Sequence, residues 1–396
     1  MSAKDKGLHI AIVGTGSAAF AAAIKAVEEG ARITLIEGGE VIGGTCVNTG
    51  CVPSKIFIRG AHIAHLQGHH VVAGIPPNIP DIDRPAMVVQ QQEWVEKLRH
   101  AKYENILKNN PGITLLRGMA RFQDANTLLV TCSDGYEQVL RADRILLAVG
   151  ASAAVPDIAG LVDTPFWTST EALLAGTIPS HLIVLGGSVI ALELAQAFRY
   201  LGSEVSILAR STLLSKEDPV IGAGLQQVFA DEGISVVLNS VTDTVNHNGQ
   251  QFMLATNNGE FCADQLLVAT GRQANTAALA LDKVGVEIDA QGSIVIDDHM
   301  RTNVKNIYAA GDCTHQPQFV YVAAAGTCAA RNMTGDNETL DLSIMPTVIF
   351  THPQVGTVGL NVQQAIAQGL VVESRTLSLE NVPRALVNMN KPELKN

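Results

Sequence analysis

The chain has 396 residues, a length at which two or three domains are expected rather than one core. Hydrophobic residues make up 47% of it and glycine is plentiful, which is typical of a globular α/β enzyme and excludes a disordered or fibrous protein. The net charge of −11, without a cluster of lysine or arginine residues, argues against nucleic acid as a partner.

The first residues and the apolar segments predict the cellular location of the protein. A short polar tail leads directly into an apolar strand, with no signal-peptide core, and this start predicts a cytoplasmic protein. No apolar stretch approaches the roughly 20 residues that span a bilayer, so membrane insertion is not expected. Six cysteines are too thinly spread for a secreted disulfide framework, and the close pair Cys46 and Cys51 indicates redox chemistry or metal binding.

The first predicted elements form a nucleotide-binding unit. In chain order they are a strand from Leu8 to Val13, a turn with Gly14, Gly16 and Ala19, a helix from Phe20 to Glu29 and a strand from Arg32 to Glu37. Glycines let the backbone approach a pyrophosphate that faces the helix N-terminus. Glu37 follows Gly14 by 23 positions, near the spacing at which a carboxylate holds a ribose hydroxyl. We therefore expect a dinucleotide here, with a purely structural βαβ turn as the alternative.

The segment from Gly43 to Lys55, GGTCVNTGCVPSK, carries the cysteine pair. In a regular helix, residues five apart have Cα atoms more than roughly 8 Å apart, beyond disulfide reach. Gly50 and Pro53 can distort the backbone enough for the two sulfurs to meet. A redox pair needs a thiolate, and a helix N-terminus together with Lys55 would lower the pKa of one thiol. The alternatives are a zinc half-site or two inert buried cysteines, although no second pair with ligand spacing accompanies this one.

A histidine-rich stretch follows the cysteine pair, at positions 62, 65, 69 and 70. Helical spacing predicts that only His62 and His65 share a face. A solvated or packed helix is therefore favoured over metal ligation.

A second unit repeats the first pattern further along the chain. Its elements are a strand from His181 to Leu185, a turn with Gly186, Ser188 and Ala191, a helix from Leu192 to Leu201 and a strand from Glu204 to Ala209. Arg210 and Lys216 follow, and cations at this position suit a ribose 2′-phosphate, whereas an acid would suit the free hydroxyl of NAD. NADPH is therefore favoured over NADH, with ordinary surface charge as the alternative.

The cysteine segment, the first nucleotide unit and the segment from Tyr308 to Asp312 resemble the pyridine nucleotide-disulfide oxidoreductases, which include glutathione reductase, lipoamide dehydrogenase and mercuric reductase. The similarity runs from about Leu8 to Leu386. Within this family, six segments resemble the mercuric reductases in particular, at residues 61–65, 98–103, 167–173, 191–198, 316–322 and 381–386.

The resemblance implies an α/β fold with two Rossmann-like nucleotide-binding domains and a truncated α+β interface domain. Short apolar strands that run into Gly150 and Gly271 bracket the second unit and are typical of crossings between domains. We expect the FAD-binding domain at residues 1–155 and 273–340, the NAD(P)H-binding domain at 156–272 and the partial interface domain at 341–396.

The resemblance also implies cofactor contacts. Gly14, Gly16, Glu37 and Asp312 are expected to hold FAD, with Asp312 at the ribityl chain. Lys55 and Glu193 are expected to pair beside the flavin ring, where the nicotinamide arrives. The other expected cofactor-binding residues are Ala19, Gly44, Thr45, Gly150, Gly186, Ser188, Arg210, Lys216, Gly271 and Val320.

For the chemistry, the resemblance implies that Cys51 contacts the flavin and that Cys46 is the more accessible thiol. Tyr103 matches a tyrosine that lies near the metal in this family, with an ordinary packed tyrosine as the alternative. Hg(II) is a soft ion, and two adjacent thiolates are the softest ligands that a protein offers. The expected reaction passes a hydride from NADPH to FAD and two electrons on to Hg(II) held by Cys46 and Cys51, which makes the metal a substrate.

One departure from the family concerns the C-terminal part. An ordinary interface domain has roughly a hundred residues, whereas Asp341 to Asn396 is shorter and has no counterpart to the second cysteine pair and tyrosine that a partner's tail supplies in this family. A symmetric homodimer is expected but weakened by exposed apolar surface. Small thiols or a metal-transfer protein are the expected source of Hg(II). Another FAD-dependent disulfide reductase or diaphorase, and an inactive flavoprotein that binds Hg(II) by thiolates, stay open.

Overall fold

The computed structural model describes residues 7–316 and 321–387 and divides into two compact units. The first unit comprises residues 7–52, 93–153, 272–316 and 321–345, and the second comprises residues 53–92, 154–271 and 346–387. No helix within these ranges combines the length and the apolar character that crossing a membrane requires.

The described residues form a mixture of strands and mostly short helices. The strands are β1 His9–Val13, β2 Arg32–Glu37, β3 Ile113–Arg117, β4 Met119–Asp124, β5 Thr127–Thr131, β6 Glu137–Arg141, β7 Arg144–Leu147, β8 Ala151–Ala153, β9 His181–Leu185, β10 Glu204–Leu208, β11 Ile234–Val237, β12 Thr242–His247, β13 Phe252–Thr256, β14 Gly259–Ala263, β15 Gln265–Val268, β16 Arg272–Ala274, β17 Ile307–Ala309, β18 Thr347–Ile349 and β19 Val355–Thr357. The α-helices are α1 Ser17–Glu28, α2 Gly44–Asn48, α3 Cys51–His69, α4 Arg84–Arg99, α5 Asn105–Asn109, α6 Ser169–Leu174, α7 Val189–Tyr200, α8 Pro219–Asp231, α9 Val322–Thr334, α10 Val362–Ala367 and α11 Pro383–Leu386. A π-helix spans His100–Glu104, and 3₁₀ turns lie at Leu161–Asp163, Ala277–Leu279, Leu281–Val284 and Leu379–Asn381.

A five-stranded parallel sheet forms the centre of the first unit, in the order β17-β7-β1-β2-β3. All five residues of β1 are buried, as expected for a parallel strand that is covered on both faces. Helices α1 and α9 pack so closely that a Cβ added at Gly326 of α9 would overlap the carbonyl oxygen of Ala18 in α1. The small side chains of both helices permit this approach. A three-stranded antiparallel sheet, β4-β5-β6, belongs to the same unit.

The second unit has its own parallel sheet, in the order β11-β10-β9-β15. Helix α7 buries most of its length in the core of this unit, including Phe198, which is fully buried. An antiparallel sheet, β12-β13-β14, and the hairpin β18-β19 complete the strands of the unit.

The expected fold class is confirmed, while two helix starts differ from their predicted positions. Helix α1 begins at Ser17 and not at Phe20, and α7 begins at Val189 and not at Leu192. The reason is the same in both units. Gly16 and Ser188 have an extended backbone and act as N-caps, so the residues after each turn already belong to the helix.

Candidate active site

The two cysteines lie on either side of a break between two helices. Helix α3 begins at Cys51, and Thr49 and Gly50 separate it from the end of α2. Gly50 is closely packed, since a Cβ there would lie 3.0 Å from the carbonyl oxygen of Thr45. The break allows the side chains of Cys46 and Cys51 to form a hydrogen bond, which one continuous helix would keep apart.

Cys46 holds its proton more tightly than an ordinary cysteine. Both members of the pair are thiols rather than a disulfide. The hydrogen bond to Cys51, then burial and the negative charge of Cys51, raise the pKa of Cys46. Cys51 occupies the first position of α3, where backbone N–H groups and the helix dipole favour a negative charge. Within the pair, Cys46 is therefore the thiol whose proton is held more tightly.

Tyr103 lies near this pair in the first unit. It belongs to the π-helix His100–Glu104, and such wider turns are frequent at functional sites. Its ring packs edge-on against Phe20 with the centroids 4.9 Å apart, and its hydroxyl lies 3.3 Å from Oγ of Ser17. Burial raises the pKa of Tyr103, and any negative charge on the Cys46 and Cys51 sulfurs adds to this effect. The structure brings Tyr103 to the thiols and adds Ser17, which sequence reasoning missed because nothing in the pattern links positions 17 and 103.

The glycine turn of the first unit brings the backbone close at two points. Gly14 has φ 109°, and a Cβ there would overlap the carbonyl oxygen of Ala148. A Cβ at Gly44 would lie 2.7 Å from the Cα of Gly16, the N-cap of α1. The first turn of α1 has no acidic side chain, and Ala19 is fully buried within it. Open backbone N–H groups without a competing carboxylate fit a diphosphate.

Two carboxylates of the first unit are held in place by defined partners. Glu37 ends β2 and accepts hydrogen bonds from the hydroxyl of Thr15 and, at 2.7 Å, from the backbone N–H of Gly39. Asp312 forms an ion pair with Arg272, with the charged atoms 3.6 Å apart. These acids fit hydroxyl groups of a bound dinucleotide, because a carboxylate accepts but does not donate hydrogen bonds.

Three further predicted cofactor residues belong to this part of the chain. Thr45 lies in α2, and Gly150 follows β7 with φ 66°. Val320 lies outside the described residues.

The glycine turn of the second unit repeats the geometry of the first. Gly186 has φ 135°, and a Cβ there would overlap the carbonyl oxygen of Ala269. Ser188 is the N-cap of α7 and makes no side-chain capping hydrogen bond. Arg210 and Lys216 are exposed in the segment after β10. This arrangement fits a nucleotide with an additional phosphate, since exposed cations remain available to it.

Gly271, the last predicted cofactor residue of this unit, has φ 141°. A Cβ added there would meet no atom within 4 Å, so backbone conformation rather than crowding favours glycine.

The structure brings Lys55 and Glu193 together within the second unit. Their charged atoms are 2.6 Å apart, and the Glu193 side chain is only 5% exposed. The other carboxylate oxygen accepts a hydrogen bond of 2.8 Å from the backbone N–H of Phe350, whose ring lies under the Lys55 ammonium at 4.6 Å. Sequence reasoning missed Phe350, because a backbone donor 157 positions away leaves no local signal.

The prediction that only His62 and His65 share a helix face is wrong. The rings of His65 and His69 stack with their centroids 4.2 Å apart, because residues four apart are also neighbours on a helix. His65 stacks on Tyr200 as well, at 3.9 Å. Within residues 7–316 and 321–387, no group of three or more His, Cys, Asp or Glu side chains is arranged to hold a metal ion.

Comparison with protein families gives two matches that together cover most of the chain. Residues 8–327 match the pyridine nucleotide-disulphide oxidoreductase family, and residues 345–394 match the dimerisation domain of the same family.

Comparison with curated proteins and solved structures adds individual relatives. The chain is 58% identical over 385 residues to a mercuric reductase of Acidithiobacillus ferrooxidans, covering 97% of this chain and 70% of that protein. It is 56% identical over 381 residues to a mercuric reductase of Shewanella putrefaciens, covering 96% of this chain and 68% of that one. Among solved structures, the HOCl-induced flavoprotein disulfide reductase RclA from Escherichia coli, as its Cu(II) complex, superposes with a TM-score of 0.85 at 29% identity, covering 96% of this chain and 84% of the other.

Proposed function

The chain belongs to the pyridine nucleotide-disulphide oxidoreductase family, and from this premise we propose that it is a mercury(II) reductase that uses FAD and NADPH. One observation carries the proposal. Two thiols within hydrogen-bonding distance lie across a helix break, in a chain that is 56–58% identical to mercuric reductases over nearly its whole length.

Cys46 and Cys51 bind the substrate Hg(II). Thiolates are the ligands that a soft ion prefers, and the pair supplies two sulfurs, of which Cys46 holds its proton more tightly than an ordinary cysteine. Binding of Hg(II) to both sulfurs therefore releases the Cys46 proton. Because the pKa of Cys46 is raised, this step favours higher pH, and the metal itself drives it by replacing the proton.

The first unit binds FAD through its glycine turn and its two acids. Gly14, Gly16 and Ala19 receive the diphosphate at the start of α1, Glu37 holds the ribose, and Asp312 holds the ribityl chain. Gly44, Thr45, Gly150 and Val320 complete the set. When bound, FAD supplies the means to accept a hydride from NADPH and to pass two electrons to Hg(II), which leaves as Hg(0).

The second unit binds NADPH. Gly186, Ser188 and Gly271 receive the dinucleotide backbone, and Arg210 and Lys216 bind the 2′-phosphate. Glu193 fixes the Lys55 ammonium by an ion pair from within the core, so Lys55 is held in one orientation where the nicotinamide ring arrives. Tyr103 acts near the thiols, where its hydroxyl can donate a hydrogen bond to a sulfur.

The predicted domain boundaries form part of the proposal: FAD domain at 1–155 and 273–340, NADPH domain at 156–272 and partial interface domain at 341–396. The match of residues 345–394 to a dimerisation domain supports a homodimer. We place the reaction in the cytoplasm, where thiols stay reduced and small thiols or a metal-transfer protein can deliver Hg(II).

The decisive experiment measures NADPH oxidation by purified, FAD-loaded protein. Oxidation that requires Hg(II) in the presence of excess small thiol, together with release of Hg(0) vapour, supports the proposal. Oxidation that requires oxidised glutathione or lipoamide would instead identify a disulfide reductase. Tight binding of Hg(II) with no NADPH oxidation under either condition would identify a protein that sequesters the metal.

A further inference from the structure

The ammonium group of Lys55 is contacted from two sides within the second unit. Its Nζ donates a hydrogen bond of 2.6 Å to Oε2 of Glu193 and lies 4.6 Å from the centroid of the Phe350 ring. A cation less than about 6 Å from the centre of an aromatic face makes a cation–π contact. The Lys55 side chain remains 35% exposed, so a carboxylate and a ring occupy two directions around the ammonium and leave a third open to a ligand.

Helix α7 fixes the backbone that carries the Phe350 ring. The backbone N–H of Phe350 donates a hydrogen bond of 2.8 Å to Oε1 of Glu193. Gln196 lies three residues later on the same helix face and binds both backbone groups of His352. Its Oε1 accepts a hydrogen bond of 2.7 Å from the N–H, and its Nε2 donates one of 2.8 Å to the carbonyl oxygen. Three hydrogen bonds to two buried side chains therefore hold residues 350–352 in place beside Lys55.

Burial alone does not explain where the Phe350 ring lies. Phe350 is 37% exposed, whereas Phe57 and Phe198 of the same unit are buried. A ring that stays partly in solvent contributes less to a hydrophobic core than a buried one does. The face of the Phe350 ring instead meets the Lys55 ammonium.

A lysine side chain has several rotatable bonds, and contacts on two sides restrict it more than one ion pair does. Building on the proposed function, we propose that Phe350 is a positioning residue for Lys55, whose ring keeps the ammonium directed to the place where the nicotinamide arrives. A positive charge that is oriented before the hydride moves stabilises the developing charge without reorganisation. Phe350 lies in the segment that matches the dimerisation domain, so this segment contributes to the chemistry of its own chain.

The first measurement follows the reactivity of Lys55 in the FAD-loaded protein. Limiting acetic anhydride acetylates lysines, and mass spectrometry of the peptides gives the rate at Lys55 relative to the exposed Lys283. Phe350→Leu removes the aromatic face, and acetylation of Lys55 should become about two- to fivefold faster, as expected for loss of a cation–π contact at a partly exposed site. Phe350→Tyr keeps the face and should restore the original rate. Equal rates in Phe350→Leu and the unmodified protein would overturn the proposal.

Trp94→Leu is the matched control, because Lys97 lies over the Trp94 ring at 4.7 Å and neither residue belongs to the proposed site. It should raise the acetylation of Lys97 and leave that of Lys55 unchanged. A rise at Lys55 as large as in Phe350→Leu would show a general effect and reject the assignment. The measurement requires no turnover, so its outcome does not depend on whether Hg(II) is the substrate.

The second measurement tests the role of Phe350 in the reaction. Stopped-flow mixing with NADPH in the absence of Hg(II) gives the limiting rate of flavin reduction and the apparent Kd for NADPH. Phe350→Leu should lower the limiting rate by about two- to fivefold and change the Kd less, because the ring acts on the hydride step through Lys55. Phe350→Tyr and Trp94→Leu should retain the rate. An unchanged rate in Phe350→Leu would reject the positioning role even if the acetylation of Lys55 changes.

If Phe350→Leu does not fold, pentafluorophenylalanine in place of Phe350 decides, because it keeps the shape of the ring and reverses the charge on its face. Faster acetylation of Lys55 and slower flavin reduction support the proposal. Values equal to those of the unmodified protein contradict it. A protein that passes these tests but shows no Hg(II)-dependent oxidation of NADPH would disprove the mercury(II) reductase and retain the role of Phe350.

Discussion

The two parallel-sheet units have the same close backbone approach at their glycine turns but differ in the side chain that follows the second strand. In the first unit a Cβ at Gly14 would overlap the carbonyl oxygen of Ala148, and in the second a Cβ at Gly186 would overlap that of Ala269. The side chain at the end of the second strand differs, since the first unit ends β2 in Glu37 and the second places Arg210 after β10. The turn therefore fits a diphosphate in both units, and we propose that the later side chain, Glu37 or Arg210, selects the nucleotide.

The units also differ in reactive groups. The first unit carries the paired thiols Cys46 and Cys51 after its second strand. The cysteine of the second unit, Cys262, is exposed on β14 and is a single thiol. Soft-metal chemistry is accordingly expected to depend on the first unit, and the choice of electron donor on the second.

The largest expected effect comes from removing a thiol. Cys51→Ser replaces a soft sulfur ligand with a hard, weakly acidic hydroxyl. Losing only an outer-shell partner of a metal ligand costs about 10–100-fold, so losing the ligand itself should lower Hg(II)-dependent NADPH oxidation by about a hundredfold or more. Cys262→Ser is the control in the second unit and should retain full activity. The assignment of the thiols would be refuted by a Cys46→Ser, Cys51→Ser double variant that still releases Hg(0) at the original rate.

The next effect compares the two glycine turns directly. Gly14→Ala and Gly186→Ala each place a Cβ against a carbonyl oxygen at a positive φ, and each should destabilise its own unit by about 1–3 kcal/mol. Gly14→Ala should lose bound flavin, whereas Gly186→Ala should keep flavin and show a raised KM for NADPH. Flavin absorbance of the purified proteins and steady-state kinetics distinguish these outcomes. Loss of flavin in both variants to the same extent would argue against separate roles for the units.

A smaller effect concerns the choice between NADPH and NADH. Arg210→Glu removes a charge-assisted contact with the 2′-phosphate and introduces repulsion, so the kcat/KM ratio of NADPH to NADH should fall by about tenfold or more. Lys283→Glu makes the same charge change at an exposed position of the first unit and controls for overall charge. A ratio that does not change in Arg210→Glu would assign this arginine to ordinary surface charge.

The smallest effect is acid sensitivity of the second unit. Burial lowers the pKa of His62 and of His65 to about 4, from an ordinary value of 6.5. The unfolded chain takes up these protons near pH 6.5, whereas the folded unit takes them up only near pH 4. Between these values the two histidines therefore lower the free energy of unfolding as the pH falls. Burial raises the pKa of Glu232 in the same unit, which acts in the opposite direction.

The variant His62→Gln, His65→Gln isolates the contribution of the histidines. Its urea midpoint should fall less than that of the unmodified chain between pH 7.5 and pH 5, and the difference should stay below about 1 kcal/mol per histidine because both residues are only partly buried. Equal pH dependence of the two proteins would show that the burial of these rings is not coupled to folding.

Sequence alone determined the features that depend on neighbouring residues. The glycines of the turns, the apolar strands and the spacing of the cysteines express local backbone preferences, so the parallel-sheet fold class and the thiol pair could be predicted from them. The helix break at Gly50 was also within reach, because glycine and a nearby proline disturb a helix wherever it lies. The helix starts were misplaced by three residues, since capping depends on backbone angles that the sequence pattern does not report.

Only the tertiary structure decided which distant groups meet. The backbone of Phe350 reaches Glu193 across 157 positions, Ser17 reaches Tyr103 across 86, and Arg84 shares the carbonyl oxygen of Leu173 with Gln91. These contacts result from how whole helices and strands pack, and packing depends on the shapes of many side chains at once. A local pattern carries no record of such contacts, because the same short segment can be buried or exposed according to the parts of the chain that pack over it.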